Sequence, residues 1–301
     1  MQRMLVDGVR RFSRTVTQRV GALNDAYLSR SRPLGQARLL WEIGESGARG
    51  CEVRALRSRL DLDSGYLSRL LRALEVDGLI EVGADDEGDG RVRTARLTEA
   101  GRSEQEHLNQ ASDELAGNIL RPLNDKQRER LVSAMAEVER LLTASQVEIA
   151  VTDPHLPAAR HCLSTYFEEL AERFDDGFDP ALGISASDPE LTMPAGMLLV
   201  ATLHGEPVGC GALKFGRGTS VAHIKRMWVD RRVRGLGLGR RLLAELETQA
   251  ARHDVRVLRL DTNRVLTEAV AMYRAAGFSE VEAFNDETYA HHWFEKSLKA
   301  D

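Results

Sequence analysis

"RVRGLGLGRRLL", residues 232–243, sets three glycines at alternate positions among arginines and then runs straight into an apolar helical pattern. The residues before it, "VAHIKRMWV" (221–229), alternate as a strand. A strand that leads through a glycine loop into a helix N-terminus is an anion site by construction. Unpaired N–H groups converge there, and the helix dipole adds partial positive charge. Side chains would keep a diphosphate at a distance, which gives Gly235, Gly237 and Gly239 a physical reason to be bare. A dinucleotide fingerprint needs glycine three residues after Gly237, where Arg240 stands, and a P-loop needs Gly-Lys-Ser/Thr; neither pattern fits. The competing reading is a tight turn whose glycines only permit packing.

Outward from this stretch, residues 147–301 mix strands and helices. "VEIAV" from Val147 reads as a strand, and "AARHCLSTYFEELAERF" as an amphipathic helix. "MLLVATLHGEPVGCGALKF" reads as two strands turning at residues 204–207. The glycine run opens a helix that lasts to about Arg252, followed by the strand "VRVLRL" and the helix "TEAVAMYRAAGF". This is an α/β or α+β pattern with a mixed central sheet. The first half is mainly helical. Leu5, Val9, Phe12, Val16, Val20, Leu23 and Tyr27 form one long stripe, with further stripes at Leu108, Leu115 and Ile119 and at Leu131, Met135, Val138 and Leu142. Between them, Val53, Leu56 and Leu60 mark a short helix, "DLDS" caps a second, and "LIEV" and "VRTARL" pair as a hairpin. Leu67, Leu70, Leu71 and Leu74 face inward, so Ser64, Ser68, Arg69 and Arg72 face out. Two domains are expected, 1–144 and 145–301, joined by a short segment without Pro or Gly.

The 301 residues allow two globular cores, and the formal net charge of -5 conceals an uneven distribution. Residues 1–72 hold 14 Arg against 7 Asp and Glu, while residues 73–90 hold 7 acids and no base. A basic N-terminal face is thus available for nucleic acid. Cys51, Cys162 and Cys210 are far apart and outside CxxC spacing, which speaks against disulfides and against a metal site. No apolar run reaches the roughly 18 residues of a membrane span, and "MQRMLVDGVRRFSR" has no signal-peptide core, so a cytoplasmic protein is expected.

"RGLGLG" after "IKRMWV", with "HGEPVGCGAL" upstream and "DTNRVLTEAVAMYRAAGF" downstream, resembles the acetyl-CoA segment of the GNAT N-acetyltransferases over about residues 146–295. The resemblance implies acetyl-CoA as co-substrate, no metal, and direct transfer to a small amine or a protein lysine. It implies that main-chain amides of Arg234, Gly235, Leu236, Gly237, Leu238, Gly239 and Arg240 hold the diphosphate. Met227, Trp228 and Val229 would line the pantetheine arm, with Asn263 contacting it from the neighbouring strand. Acetyl transfer to an amine needs a proton acceptor, an N–H for the carbonyl oxygen and an acid for the departing sulfur. By the resemblance Tyr273 is that acid; the alternative is packing on a helix face. His223 alternates with Lys225 and Met227 and is the candidate base, with Glu168, Glu169, Asp261, His291 and His292 as rivals. Phe167, Tyr289 and Trp293 are candidates for shaping the acceptor pocket.

The first half, and "DGRVRTARLTEAG" (89–101) above all, resembles the winged helix-turn-helix of the MarR family over about residues 1–143. It implies a homodimer on double-stranded DNA with a palindromic operator. Residues 64–77 would enter the major groove with Ser64, Ser68, Arg69 and Arg72. Arg91, braced by Asp89, and Arg93 would reach from the wing. The acidic "ADDEGDG" departs from that pattern. The combined expectation is a regulator that also acetylates. The alternatives are a regulator whose second half only senses acetyl-CoA or an amine, and an enzyme dimerised by its first half.

Overall fold

The computed structural model describes residues 2–22, 28, 32–84, 92–174, 177–184 and 186–298. The chain divides into two compact units, residues 1–135 and 136–301, with the division inside one helix.

In the first unit, α1 (Gln2–Arg19) is followed by α2 (Leu34–Glu45), β1 (Cys51–Glu52), α3 (Val53–Arg59), α4 (Ser64–Val76), β2 (Ile80–Ala84), β3 (Arg93–Leu97), α5 (Glu99–Leu120) and α6 (Asp125–Ser145). Leu39, Leu40 and Ile43 of α2, Leu56 of α3 and Leu67, Leu70, Leu71 and Leu74 of α4 form its core. The three strands make an antiparallel sheet in the order β1-β3-β2. Asp63 caps α4 by accepting from the Tyr66 N–H at 2.8 Å. The Thr98 hydroxyl accepts from Gly101 N–H at 3.0 Å and donates to the Gly78 carbonyl at 2.7 Å. A Cβ at Gly101 would collide with the Leu79 carbonyl, which explains glycine inside a helix at "LTEAG". The stripe on α1 has no buried residue; Leu5, Val9, Phe12 and Val16 are exposed, and Leu23 and Tyr27 lie outside the described residues.

In the second unit, β4 (Glu148–Val151), α7 (Pro157–Arg173), β5 (Gly196–Leu203), β6 (Glu206–Phe215), β7 (Val221–Val229), α8 (Leu238–Arg252), β8 (Val257–Thr262), α9 (Thr267–Ala275), β9 (Ser279–Val281) and β10 (His292–Ser297) follow in order. The mixed seven-stranded sheet runs β4-β5-β6-β7-β8-β10-β9, and within it β7 and β8 are parallel. Helix α8 covers one face through Leu238, Leu242, Leu243 and Leu246, packed with Met197, Leu199 and Ile224. On the other face Ala159, Cys162 and Leu163 of α7 pack with Leu198, Val200, Cys210 and Trp228. Both faces of β5 are therefore buried, which is why "GMLLV" is apolar without alternation.

Two irregularities open the sheet. The β7–β8 register covers only Val221–His223 against Val257–Arg259, and the strands part beyond it. In β7, Arg226 takes φ 58° and the pairing with β6 shifts between Cys210 and Ala212. This bulge breaks the period of two: Ile224, Met227 and Val229 pack with the α8-side core, while Trp228 packs on the α7 side.

Phe294 on β10 is fully buried within this core. Phe294→Ala is expected to destabilise the second unit by about 3–5 kcal/mol, measured as a fall in its denaturant midpoint.

Candidate functional site

Where β7 and β8 part, two cavities meet. The larger, about 750 Å³, runs along the end of β7 and the N-terminus of α8 and is lined by Val229, Arg234, Gly235, Gly237, Gly239 and Arg240 among others. The smaller, about 110 Å³, is bounded by Phe174, Phe178, Tyr289, Lys225 and Asp261 among others. Tyr166, Leu170, Met227, Leu266, Ala269 and Tyr273 line both.

The loop is built as its sequence requires. Asp230 accepts from the Arg232 N–H at 2.8 Å and starts the turn Arg231–Val233. Gly235 and Gly237 follow at φ 82° and 77°, a left-handed region that other residues enter at a cost. Nothing stands within 4 Å of a Cβ placed on either, so the space beside them belongs to the cleft. Gly239 is bare for a different reason: a Cβ there would lie 3.1 Å from the Met272 sulfur. The cleft thus has room for an extended anionic ligand against the free amides that open α8.

Of the residues singled out in the sequence, Met227, Trp228, Val229, Arg234, Gly235, Gly237, Leu238, Gly239 and Arg240 line this cleft. Leu236 packs its side chain against the α8-side core instead. Asn263 lines the smaller cavity, and its amide is oriented by the chain itself: Nδ2 donates to the Tyr289 carbonyl at 2.8 Å and Oδ1 accepts from Val265 N–H at 3.0 Å. The Arg234 guanidinium turns back to Glu169 and to the Val229 carbonyl.

Tyr273 is 5% exposed, between the rings of Phe278 and Phe294 at 6.0 and 6.1 Å. Burial above all, with the negative charge of Asp261 adding to it, holds its phenol well above the usual value. Burial likewise pushes Tyr166 up to about 12, against the opposing pull of Arg226. Both hydroxyls stay protonated across the physiological range.

Among the described residues His223 lines neither cavity. Its ring meets Phe284 edge-on at 5.5 Å, and burial together with Lys225 depresses its pKa. The bulge at Arg226 turns Met227 to the opposite face, so the alternation that linked His223 to Met227 ends at Lys225, which does line the smaller cavity. The other candidates differ in their surroundings. Glu168 is exposed; Glu169 pairs with Arg234; His292 pairs with Glu280 at 2.6 Å. Asp261 lines the smaller cavity, with Lys225 Nζ at 2.6 Å and Asn285 Nδ2 at 3.3 Å. The aromatic wall is legible in part: Phe174, Phe178 and Tyr289 lie 4.9 to 5.7 Å apart, whereas Trp293 donates to Asn285 at 2.7 Å outside the cavity lining. Phe174 and Phe178 carried no sequence signal beyond being apolar.

In the first unit, Ser64, Ser68, Arg69 and Arg72 lie on the exposed face of α4, and Arg93 is exposed at the start of β3. The Ser68 hydroxyl donates to the Ser64 carbonyl at 2.8 Å, and Arg69 stacks over Tyr66 at 5.5 Å. Asp89 and Arg91 lie outside the described residues.

The Acetyltransferase (GNAT) family model matches residues 157–278, and the MarR family model matches residues 29–92. The chain is 36% identical over 90 residues to an IAA acetyltransferase of Azospirillum brasilense, spanning 30% of this chain and 59% of that protein. It is 30% identical over 126 residues to an uncharacterized N-acetyltransferase of Schizosaccharomyces pombe, spanning 39% of this chain and 77% of that one. A solved structure of a MarR-family transcriptional regulator from Rhodococcus sp. RHA1 is 21% identical with a TM-score of 0.35, covering 42% of this chain and 88% of that one.

Proposed function

The chain belongs to the GNAT acetyltransferase family through residues 157–278 and carries a MarR-family region at residues 29–92, and from that premise we propose that it is a dimeric, DNA-binding regulator that also transfers acetyl from acetyl-CoA directly to a small amine or a protein lysine. The observation that carries the catalytic half is the glycine loop opening α8 onto a cleft that joins a second cavity at Met227 and Tyr273. Acetyl-CoA supplies an activated acetyl thioester; this chain's residues bind, orient and move protons around it. The amides from Arg234 to Arg240 hold the diphosphate with charge-assisted hydrogen bonds of about 1.5–3 kcal/mol each. Main-chain groups of β7 beyond His223 have lost their β8 neighbour, which supports an N–H there for the thioester oxygen. Tyr273 holds the proton for the departing sulfur. With His223 outside the cavities and Asp261 ion-paired to Lys225, the proton of the amine leaves to solvent through the open cleft.

The exposed arginines favour the regulatory half. Arg69→Ala and Arg72→Ala are each expected to weaken binding of the protein's own upstream DNA by about tenfold or more, read by gel shift at fixed salt. The exposed apolar face of α1 and the MarR-family match support a homodimer. The deciding experiment is calorimetry with acetyl-CoA, followed by a screen of amines and lysine peptides for coenzyme release with and without that DNA. Saturable binding and acceptor-dependent release support the enzyme. Binding without release for any acceptor supports a sensor.

A further inference from the structure

We propose that Glu169 is a positioning residue that fixes the anion loop through Arg234 and takes no part in proton transfer to or from the amine. The inference rests on reading that loop as the site of the coenzyme A diphosphate.

Glu169 lies within α7, 9% exposed, and its carboxylate is filled from three sides. Arg234 Nη2 reaches its two oxygens at 2.7 and 2.5 Å, Trp228 Nε1 donates at 3.1 Å, and Arg173 Nη1 lies at 3.4 Å. Burial alone would push this acid up, but Arg234, with Trp228 and Arg173 behind it, brings it below the ordinary value. An ionised carboxylate with its lone pairs occupied is a poor proton acceptor.

The donors show what the carboxylate does instead. Trp228 belongs to the end of β7, and Arg234 is the residue from which the loop departs. The same guanidinium donates through Nε to the Val229 carbonyl at 2.9 Å. One acid therefore grips the last turn of the strand and the first residue of the loop together. The grip extends to α9, because Arg173 also donates to the Val265 carbonyl at 2.9 Å and to Glu268 at 3.0 Å. A half-buried ion pair adds little stability over an apolar filling of the same volume; what it provides here is direction, one arrangement of the groups it joins. Glu169 and the Val229 carbonyl together fix the direction of the Arg234 guanidinium. Held back, it leaves the main-chain amides to face the ligand.

Glu172 supplies the control: it lies on the same helix and pairs with Arg231 at 2.7 Å, but both side chains are 64% exposed. The test measures acetyl-CoA Kd by calorimetry, and KM, kcat and their pH profiles with one amine, for the full chain and its variants. Glu169→Gln keeps the volume and an acceptor for Trp228. It is expected to raise Kd and KM for acetyl-CoA about tenfold, the loss of one charge-assisted bond, with kcat within about twofold and the pH profile unmoved. Arg234→Met should do the same, and the double variant should be no worse than either single one, because both break one path. Glu172→Gln should leave all constants within about twofold. The proposal is overturned if Glu169→Gln leaves Kd unchanged, lowers kcat and moves the acid limb, or adds fully to Arg234→Met. Should Glu169→Gln fail to fold, Arg234→Met carries the Kd comparison by itself, since that side chain is 39% exposed. If the wild-type chain takes up no acetyl-CoA, the reading of the loop falls first; if it does and the variants match it, only this inference falls.

Discussion

Replacing Tyr273 with phenylalanine is expected to lower kcat by about two to three powers of ten while changing acetyl-CoA affinity by less than about threefold. The split follows from position. Tyr273 lines both cavities, at the junction through which the proposed transfer would pass, while the diphosphate is assigned to amides on the loop and α8. Phenylalanine keeps the ring between Phe278 and Phe294 and removes the hydroxyl that donates the proton. Steady-state rates set beside calorimetry give the answer, and an unchanged kcat would remove Tyr273 from the chemistry. The direction of its pKa adds a second check. An ordinary phenol near 10 would begin to ionise above pH 9, but burial and the charge of Asp261 raise this one. The neutral donor therefore persists as pH rises, and kcat should show no loss with an apparent pKa near 10. Such a loss, absent from the phenylalanine variant, would mean that the phenol sits in a more polar place than the fold gives it.

The strand at 221–229, the glycine loop and α8 were readable because their information is local: alternation, bare positions and a following apolar stripe lie within 32 residues of chain. The inward leucines and outward arginines of α4 were readable for the same reason. What the sequence hid is tertiary. Helix α2 supplies Leu39, Leu40 and Ile43 to the first core, but it is only 12 residues long and its Pro33 N-cap makes no side-chain cap bond, so no start signal precedes it. Asn263 has the residue type of a ligand contact, yet its amide holds the Tyr289 carbonyl, 26 residues further on. The bulge at Arg226 is the costliest of these omissions. An arginine in the left-handed region is disfavoured by about 1–2 kcal/mol, and nothing local announces it. It is held from outside, by a bond from Nη2 to the Ala186 carbonyl at 3.2 Å and by the Phe167 ring at 4.4 Å. Those contacts reverse the facing of every later residue of β7, which is why a reading by alternation joins His223 to Met227 and the fold separates them.

The loop itself offers the sharpest test of the coenzyme site, through Gly237→Val. Gly237 caps α8 at φ 77° and ψ 10°, a conformation that a β-branched residue reaches only with strain of about 1–3 kcal/mol. Two routes lead to the same loss. Either the valine forces the turn out of the left-handed region, moving the amides that follow, or it stays and projects into the open cleft, where no atom of the chain lies within 4 Å of its Cβ. Both routes deny the ligand its close approach, and losing two or three charge-assisted bonds raises the acetyl-CoA Kd by about 10²-fold or more. The second unit should nevertheless fold, since the core under α8 is formed by Leu238, Leu242, Leu243 and Leu246 and does not include residue 237. Gly239→Ala is the matched comparison: its single methyl meets the flexible Met272 side chain at 3.1 Å, and residue 239 needs no left-handed backbone, so it should cost several-fold less in affinity. Equal Kd values for Gly237→Val and the wild type, by calorimetry on folded protein, would show that the glycines serve the turn alone and that the anion is held elsewhere.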